Sequence, residues 1–182
     1  MARIGDVKRE NLNPRQQQLF DHFLTTRPAR GDFSGPFAVL INTPDLAEPA
    51  DKIVNYFRGS PKLERRLIEL IILMMCREAT AQYAWSVHEP NALKTGLTQE
   101  TIDAIRARKR PPFKRDDEAL IYDLVTELNR TKTLAAATFD RAKTAFGLEG
   151  LIEAITCAGF YGMIGLVLNS FEIPPRAGVP LA

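Results

Sequence analysis

Two side chains in this sequence combine reactive chemistry with surroundings that would alter it. Glu69 lies within the run Leu67 to Cys76, LIELIILMMC, where every other residue is apolar. A carboxylate in an apolar helix loses hydration, so its pKa rises unless a partner offsets the loss. A carboxyl tuned in that way can serve as a general acid or base near neutral pH. The positions three and four residues on are Ile72 and Leu73, and the nearest cations are Arg65 and Arg66, one turn upstream. Glu69 is therefore either an acid/base group or half of an ion pair at the edge of the core. The second side chain is His88. Ala81, Ala84, Trp85 and His88 share one helical face by their spacing. Two alanines beside a tryptophan and a histidine leave the room that a pocket wall needs. The same pattern suits a core histidine satisfied by a carbonyl, with the alanines admitting a neighbouring helix. If the helices bearing Glu69 and His88 run antiparallel side by side, carboxylate and imidazole meet. His22 lies in a polar helix and reads as a surface residue.

Cys76 follows Glu69 by two helical turns and can line the same cavity, although a single buried cysteine usually acts as a small hydrophobe. Cys157 sits in the most apolar segment and reads as packing. Two cysteines so far apart make no C-x-x-C pair, disulfide scaffold or thiolate metal site. The sequence offers no metal-ligand spacing, serine elbow or glycine-rich phosphate loop, so no metal and no cofactor are expected. Gly159, Gly162 and Gly165 lack a preceding turn and read as a groove for close helix contact. The basic run Arg106, Arg108, Lys109, Arg110, Lys114 and Arg115 ends a helix and is followed by Asp116, Asp117 and Glu118. That pattern describes a solvated link. With 24 Lys+Arg against 22 Asp+Glu and a net charge of +2, nothing points to nucleic acid or an anionic membrane as partner.

The elements that must position these residues are helical almost throughout. A chain of 182 residues with 45% hydrophobic and 25% charged residues fits one globular domain over residues 1–182. Asn13-Pro14 caps a polar helix toward Arg27. Residues 31–42 are punctuated by Gly and Pro, with Phe37 to Ile41 able to form a short strand. Thr43-Pro44 opens a helix to about Phe57, and the apolar Glu69 helix follows Pro61. The His88 helix stops at Gly96, a short helix starts at Thr98, and Asp116 to Arg130 carries Leu120, Leu124 and Leu128 on one face. Thr138 to Phe146 closes at Gly147, and Leu151 to about Ser170 forms the last helix, with residues 175–182 as a tail. LIELI at 67–71 echoes LIEAI at 151–155. The low-polarity stretch from Ala154 to Leu168 is shorter than the ~20 residues that cross a bilayer, so it reads as a core helix. The polar N-terminus lacks the apolar core of a signal peptide, and a cytoplasmic, membrane-free protein is expected.

From Glu69 to Pro90 the sequence resembles the carboxymuconolactone decarboxylase family, which includes the AhpD-like alkylhydroperoxidases. In the peroxidase branch a glutamate is followed twelve residues later by C-x-x-C, and a histidine stands four residues beyond the second cysteine. Here Glu69 and His88 occupy the glutamate and histidine positions, and Ala81 and Ala84 stand where the cysteines would be. ELIILMM, QYAWSVHEPNALKTGLT and AGFYGMIGLVLNSFEIP also fit, so the resemblance spans residues 37–174, with 1–36 as an N-terminal extension bearing one helix. It implies an all-α, AhpD-like bundle of about seven to eight helices without significant sheet, and a homo-oligomer, commonly a trimer or hexamer. Thiol peroxidase chemistry needs an attacking thiolate and a resolving thiol, which Ala81 and Ala84 cannot supply.

What remains resembles the decarboxylase side of the family, associated with catabolism of aromatic compounds. This implies a cofactor-independent enzyme that removes carbon dioxide from a small lactone or keto carboxylic acid. In that role His88 donates the proton and Glu69 orients it or shuttles the proton, with both as catalytic residues. Tyr83 or Trp85 shapes the pocket, Arg66 anchors the substrate carboxylate, and Cys76, Ala81 and Ala84 line the cavity. Two other readings fit the same residues. One is another small-molecule reaction on the Glu69–His88 pair, and the other is a non-catalytic helical oligomer in which the two satisfy each other.

Overall fold

The computed structural model describes residues 2–26, 33–59, 61–176 and 181. Among them are one 3-10 turn (Arg9–Asn11), eight α-helices and no strand: α1 (Pro14–Thr26), α2 (Pro36–Leu40), α3 (Pro44–Gly59), α4 (Arg65–Glu78), α5 (Gln82–Lys94), α6 (Gln99–Arg106), α7 (Asp116–Thr131) and α8 (Ala136–Ser170). The expected residues 27 and 31–32, and most of the tail, lie outside the described residues. Local sequence explains the starts. Asn13 Oδ1 accepts the Gln16 N–H at 3.0 Å while Gln16 Oε1 accepts the Asn13 N–H at 3.0 Å, a reciprocal cap that frees Pro14 to begin α1. Thr98 caps α6 by accepting the Thr101 N–H at 3.1 Å.

The run from Phe37 to Ile41, expected as a possible strand, is helical. Gly35, at φ 83°, turns the chain, Pro36 fixes the first helical φ, and the Ile41 N–H bonds back to the Phe37 carbonyl at 3.0 Å. With no neighbouring strand to satisfy its backbone, the segment satisfies itself, and this overrides the β-propensity of Phe, Val and Ile.

Helix α4 is the axis of the molecule. Every residue from Arg66 to Arg77 is buried, and α4 packs against α5, α7 and α8. A helix apolar on all sides must lie in the centre, as this one does. Gly147, at φ 71°, breaks α8 where the sequence places a stop, so its two parts run on either side of a kink. By length and composition α8 could cross a membrane, and 56% of its most apolar window is buried within the protein. Of the three glycines expected to make close contacts, Gly165 and Gly162 do and Gly159 does not. A Cβ on Gly165 would lie 2.9 Å from the Ala79 Cβ and one on Gly162 would lie 3.4 Å from Met75, but one on Gly159 meets nothing within 4 Å. In the basic link, Arg110 pairs with Asp123 and Arg115 with Asp117 on α7, while Arg106 pairs with Glu89 and Asp103.

Candidate active site

Glu69 lies mid-way along α4, and the tight turn from Ala79 to Ala81 folds α5 back beside it. This places the His88 Nδ1 2.8 Å from the Glu69 Oε2, with Glu69 wholly removed from solvent. Arg65, one turn earlier, donates from Nη2 to Glu69 Oε1 and from Nη1 to the Phe57 carbonyl. Burial pushes the Glu69 carboxyl up, but the His88 ring and the Arg65 guanidinium together outweigh it and hold the group below the ordinary glutamate value. The partners that the sequence left open, Arg65 and His88, thus offset the loss of hydration. Glu69 remains a carboxylate, so it accepts from Nδ1–H and fixes the ring, which leaves Nε2 as the reactive nitrogen. Nε2 has no hydrogen-bond partner among the described residues. The imidazole stands edge-on to Tyr161, with centroids 5.2 Å apart and an interplanar angle of 88°.

His88 opens onto a cavity of about 30 Å³ that is also lined by Phe37, Val54, Arg58, Tyr83, Ala84 and Tyr161. Of the residues singled out from sequence, the fold brings Glu69, His88, Tyr83 and Ala84 together. Ala81 is buried against α8 and Cys76 is buried in α4, and neither lines this cavity. Burial, and after it the Glu69 charge, pushes both the Cys76 and Cys157 thiols up, so neither is a ready thiolate. Trp85 faces elsewhere: its indole N–H donates to Glu89 at 3.0 Å and Arg106 lies 5.3 Å above the ring. Arg66, expected as the carboxylate anchor, is held by Glu118 at 2.6 Å, Asp117 at 2.8 Å and Glu64 at 3.1 Å, and does not reach the cavity. Three carboxylates of this protein occupy the guanidinium that a substrate would need.

Sequence reasoning missed Arg58 and Tyr161. Arg58 is an exposed residue at the end of an amphipathic helix, with no local mark of function. Tyr161 is a phenol in an otherwise apolar stretch, which was the available signal. The echo between LIELI and LIEAI has a partial meaning, since both glutamates are buried. Glu153, however, accepts the Lys62 and Leu63 N–H groups at 2.8 and 2.9 Å and so caps the approach to α4 instead of serving a histidine. His22 is half-exposed and pairs with buried Asp51 at 2.9 Å. Among the described residues no group of three or more His, Cys, Asp or Glu side chains is placed to hold a metal ion.

The all-helical bundle is the AhpD-like fold, and solved structures share it. An uncharacterized peroxidase-related protein with an AhpD core from Ralstonia eutropha JMP134 superposes with TM-score 0.78 at 13% identity, covering 96% of this chain and 92% of that one. A peroxidase-related protein from Silicibacter sp. TM1040 gives TM-score 0.76 at 13% identity, covering 91% and 88%. A cysteine-to-alanine variant of the debrominase Bmp8, in complex with 2,3,4-tribromopyrrole, gives TM-score 0.69 at 15% identity, covering 94% and 90%. Residues 44–113, which include Glu69 and His88, are similar to the carboxymuconolactone decarboxylase family. No curated protein sequence matches the chain.

Proposed function

We propose that this protein is a cofactor-independent enzyme that decarboxylates a small lactone or keto carboxylic acid by acid/base chemistry at His88. The observation that carries the reading is the His88 ring, fixed through Nδ1 by a buried carboxylate and lining a cavity. In the reaction the bond to the carboxylate carbon breaks, carbon dioxide leaves, and the electron pair enters an adjacent carbonyl as an enolate. His88, carrying a proton on each nitrogen, delivers the Nε2 proton to the carbon and is reprotonated from water. Glu69 balances the imidazolium and holds its orientation. Arg58, at the cavity wall, takes the anchoring role that Arg66 cannot fill. The debrominase neighbour, which binds a small substituted ring, supports a small-molecule ligand in this architecture.

The test is a screen for carbon dioxide release over lactone acids and β-keto acids, run beside a hydroperoxide-reduction assay. Release from at least one acid and no hydroperoxide reduction are expected, because both cysteines are buried. Hydroperoxide reduction that depends on Cys76 would overturn the reading. The small size of the cavity favours one competitor, a non-catalytic member in which the pair is structural, and silence across the whole screen would select it.

The same reading includes self-association. Leu148, Ile152 and Ile155 on α8, with Ile53 and Tyr56 on α3, expose apolar surface around a groove of about 480 Å³. A second copy of the chain would bury that face. Light scattering is expected to give a trimer or hexamer, and Ile152→Glu to shift it toward monomer. A monomeric wild type at micromolar concentration would refute this.

A further inference from the structure

The basic run at the end of α6, expected as a solvated link, also builds a wall. With α4 and α7 it encloses a cavity of about 260 Å³ that shares no lining residue with the Glu69–His88 cavity. Met74, Ile105 and Tyr122 supply its apolar lining, and Met74 and Ile105 are buried. Arg77, Arg108, Lys109 and Arg130 line it too, against one carboxylate, Glu78, whose Oε2 stands 3.7 Å from Arg108 Nη1. The two helix ends that meet here are tied to each other. Arg77 Nε donates to the Arg106 carbonyl at the end of α6 at 2.7 Å, and Arg108 Nη2 donates to the Arg77 carbonyl near the end of α4 at 3.2 Å. Burial, and after it the charge of Arg108, pushes the Arg77 guanidinium down from its ordinary value. Positive charge is thus held in fixed positions around a partly dehydrated cleft.

Arg108 stands at a position that favours glycine. Its N–H bonds to the Ile105 carbonyl at 2.9 Å and the Lys109 N–H bonds to the Ala104 carbonyl at 2.8 Å, a Schellman ending to α6. Arg108 fills the left-handed position of that motif, at φ 56°. The backbone cost is borne by a side chain that both ties down α4 and lines the cavity. Neither the Lys109 ammonium nor the Arg130 guanidinium forms a hydrogen bond or ion pair among the described residues. Thr138 and the Ala135 N–H hold the Glu127 carboxyl low, and Arg130 adds to this from farther off. A cavity of ~150 Å³ holds benzene, so one of about 260 Å³ has space for a single ring and its charged substituents. The geometry points to a second ligand site here, for a small organic dianion built on one ring, its charges on Arg108, Lys109 and Arg130 and its ring on the apolar lining. Concavity and that apolar lining distinguish the site from a nucleic-acid surface, which needs basic residues spread along a backbone.

Isothermal titration calorimetry on the full chain tests the site with phenyl phosphate and phthalate, two single-ring dianions, beside neutral phenol and inorganic phosphate. At least one dianion is expected to bind with a Kd of about 1 mM or tighter, and phenol and inorganic phosphate about tenfold more weakly or less. Whichever dianion binds more tightly identifies the charged group that the site takes. Lys109→Gln and Arg130→Gln are each expected to weaken that dianion about tenfold, the loss of one charge-assisted contact. Both residues are exposed, so circular dichroism should show the fold intact. His88→Ala is expected to leave the affinity unchanged, because His88 lines the other cavity. Failure of both dianions to bind, or binding of phenol as tight as theirs, overturns the site. So does a dianion affinity that is unchanged in both Lys109→Gln and Arg130→Gln, and so does one that is lost in His88→Ala. Each of these outcomes leaves the reaction at His88 to its own turnover screen.

Discussion

His88→Ala is expected to lower turnover of the acid substrate by about two to four orders of magnitude, the range lost with a positioned general acid. The size of the loss follows from the division of labour on the ring. Nδ1 is committed to Glu69, Nε2 is left without a partner among the described residues, and the phenol beside the ring is a poor substitute: Tyr161 meets the ring edge-on, and burial pushes its phenol up. The fold should survive, because Glu69 keeps the Arg65 guanidinium when the imidazole is gone. The check is carbon dioxide release measured beside far-ultraviolet circular dichroism. Near-normal turnover in a folded variant would remove His88 from the mechanism.

Glu69→Ala carries the second large effect, and it falls on stability as well as rate. Removing one partner of a buried ion pair typically costs about 3–5 kcal/mol, since the charge left behind loses its compensation. Here the group left behind is Arg65, whose side chain is 31% exposed and keeps the Phe57 carbonyl, so water recovers part of that cost and the loss falls below this range. Denaturant unfolding at neutral pH measures the loss. The sign of the pH dependence is fixed by the direction of the shift. The carboxyl titrates lower in the folded protein than the ordinary value of 4.5. Its stabilising contribution is therefore complete above that value and is lost as pH falls through the folded pKa. The stability gap between wild type and Glu69→Gln should shrink on acidification below about pH 4.5. A gap that stays constant from pH 7 to pH 3 would mean that Glu69 is not the ionised partner of the pair.

The pairing of Glu69 with His88 was legible because both violate their surroundings. A carboxylate in an apolar helix needs a partner, and the spacing of the following helix offered one within a short turn. The choice between Arg65 and Arg66 was not legible. Both lie within one turn of Glu69, at i+4 and i+3, and either spacing permits a contact. What decides is Asp117 and Glu118 on α7, more than fifty positions away, which draw Arg66 to the other side of α4. Trp85 failed for a related reason. It shares a helical face with His88 in sequence, but the cavity touches only the edge of that face, through Ala84 and Tyr83. The five-residue run at Phe37 was too short to carry a periodicity that separates strand from helix. Arg58 gains its position at the cavity from the packing of distant segments, which leaves no local pattern.

The close approach of α8 to the α4–α5 turn bears on how this chain could ever exchange one chemistry for another. Ala81 stands where the redox relatives it resembles carry the first thiol, and it is wholly enclosed, with Gly165 pressed against the turn beside it. A sulfur introduced there would meet packed helix, out of reach of any peroxide in solution. Cysteines at both positions would therefore leave one thiol on the cavity wall at 84 and the other enclosed at 81. Helix α8 would have to stand farther off as well, so two substitutions alone would not make this turn a thiol centre.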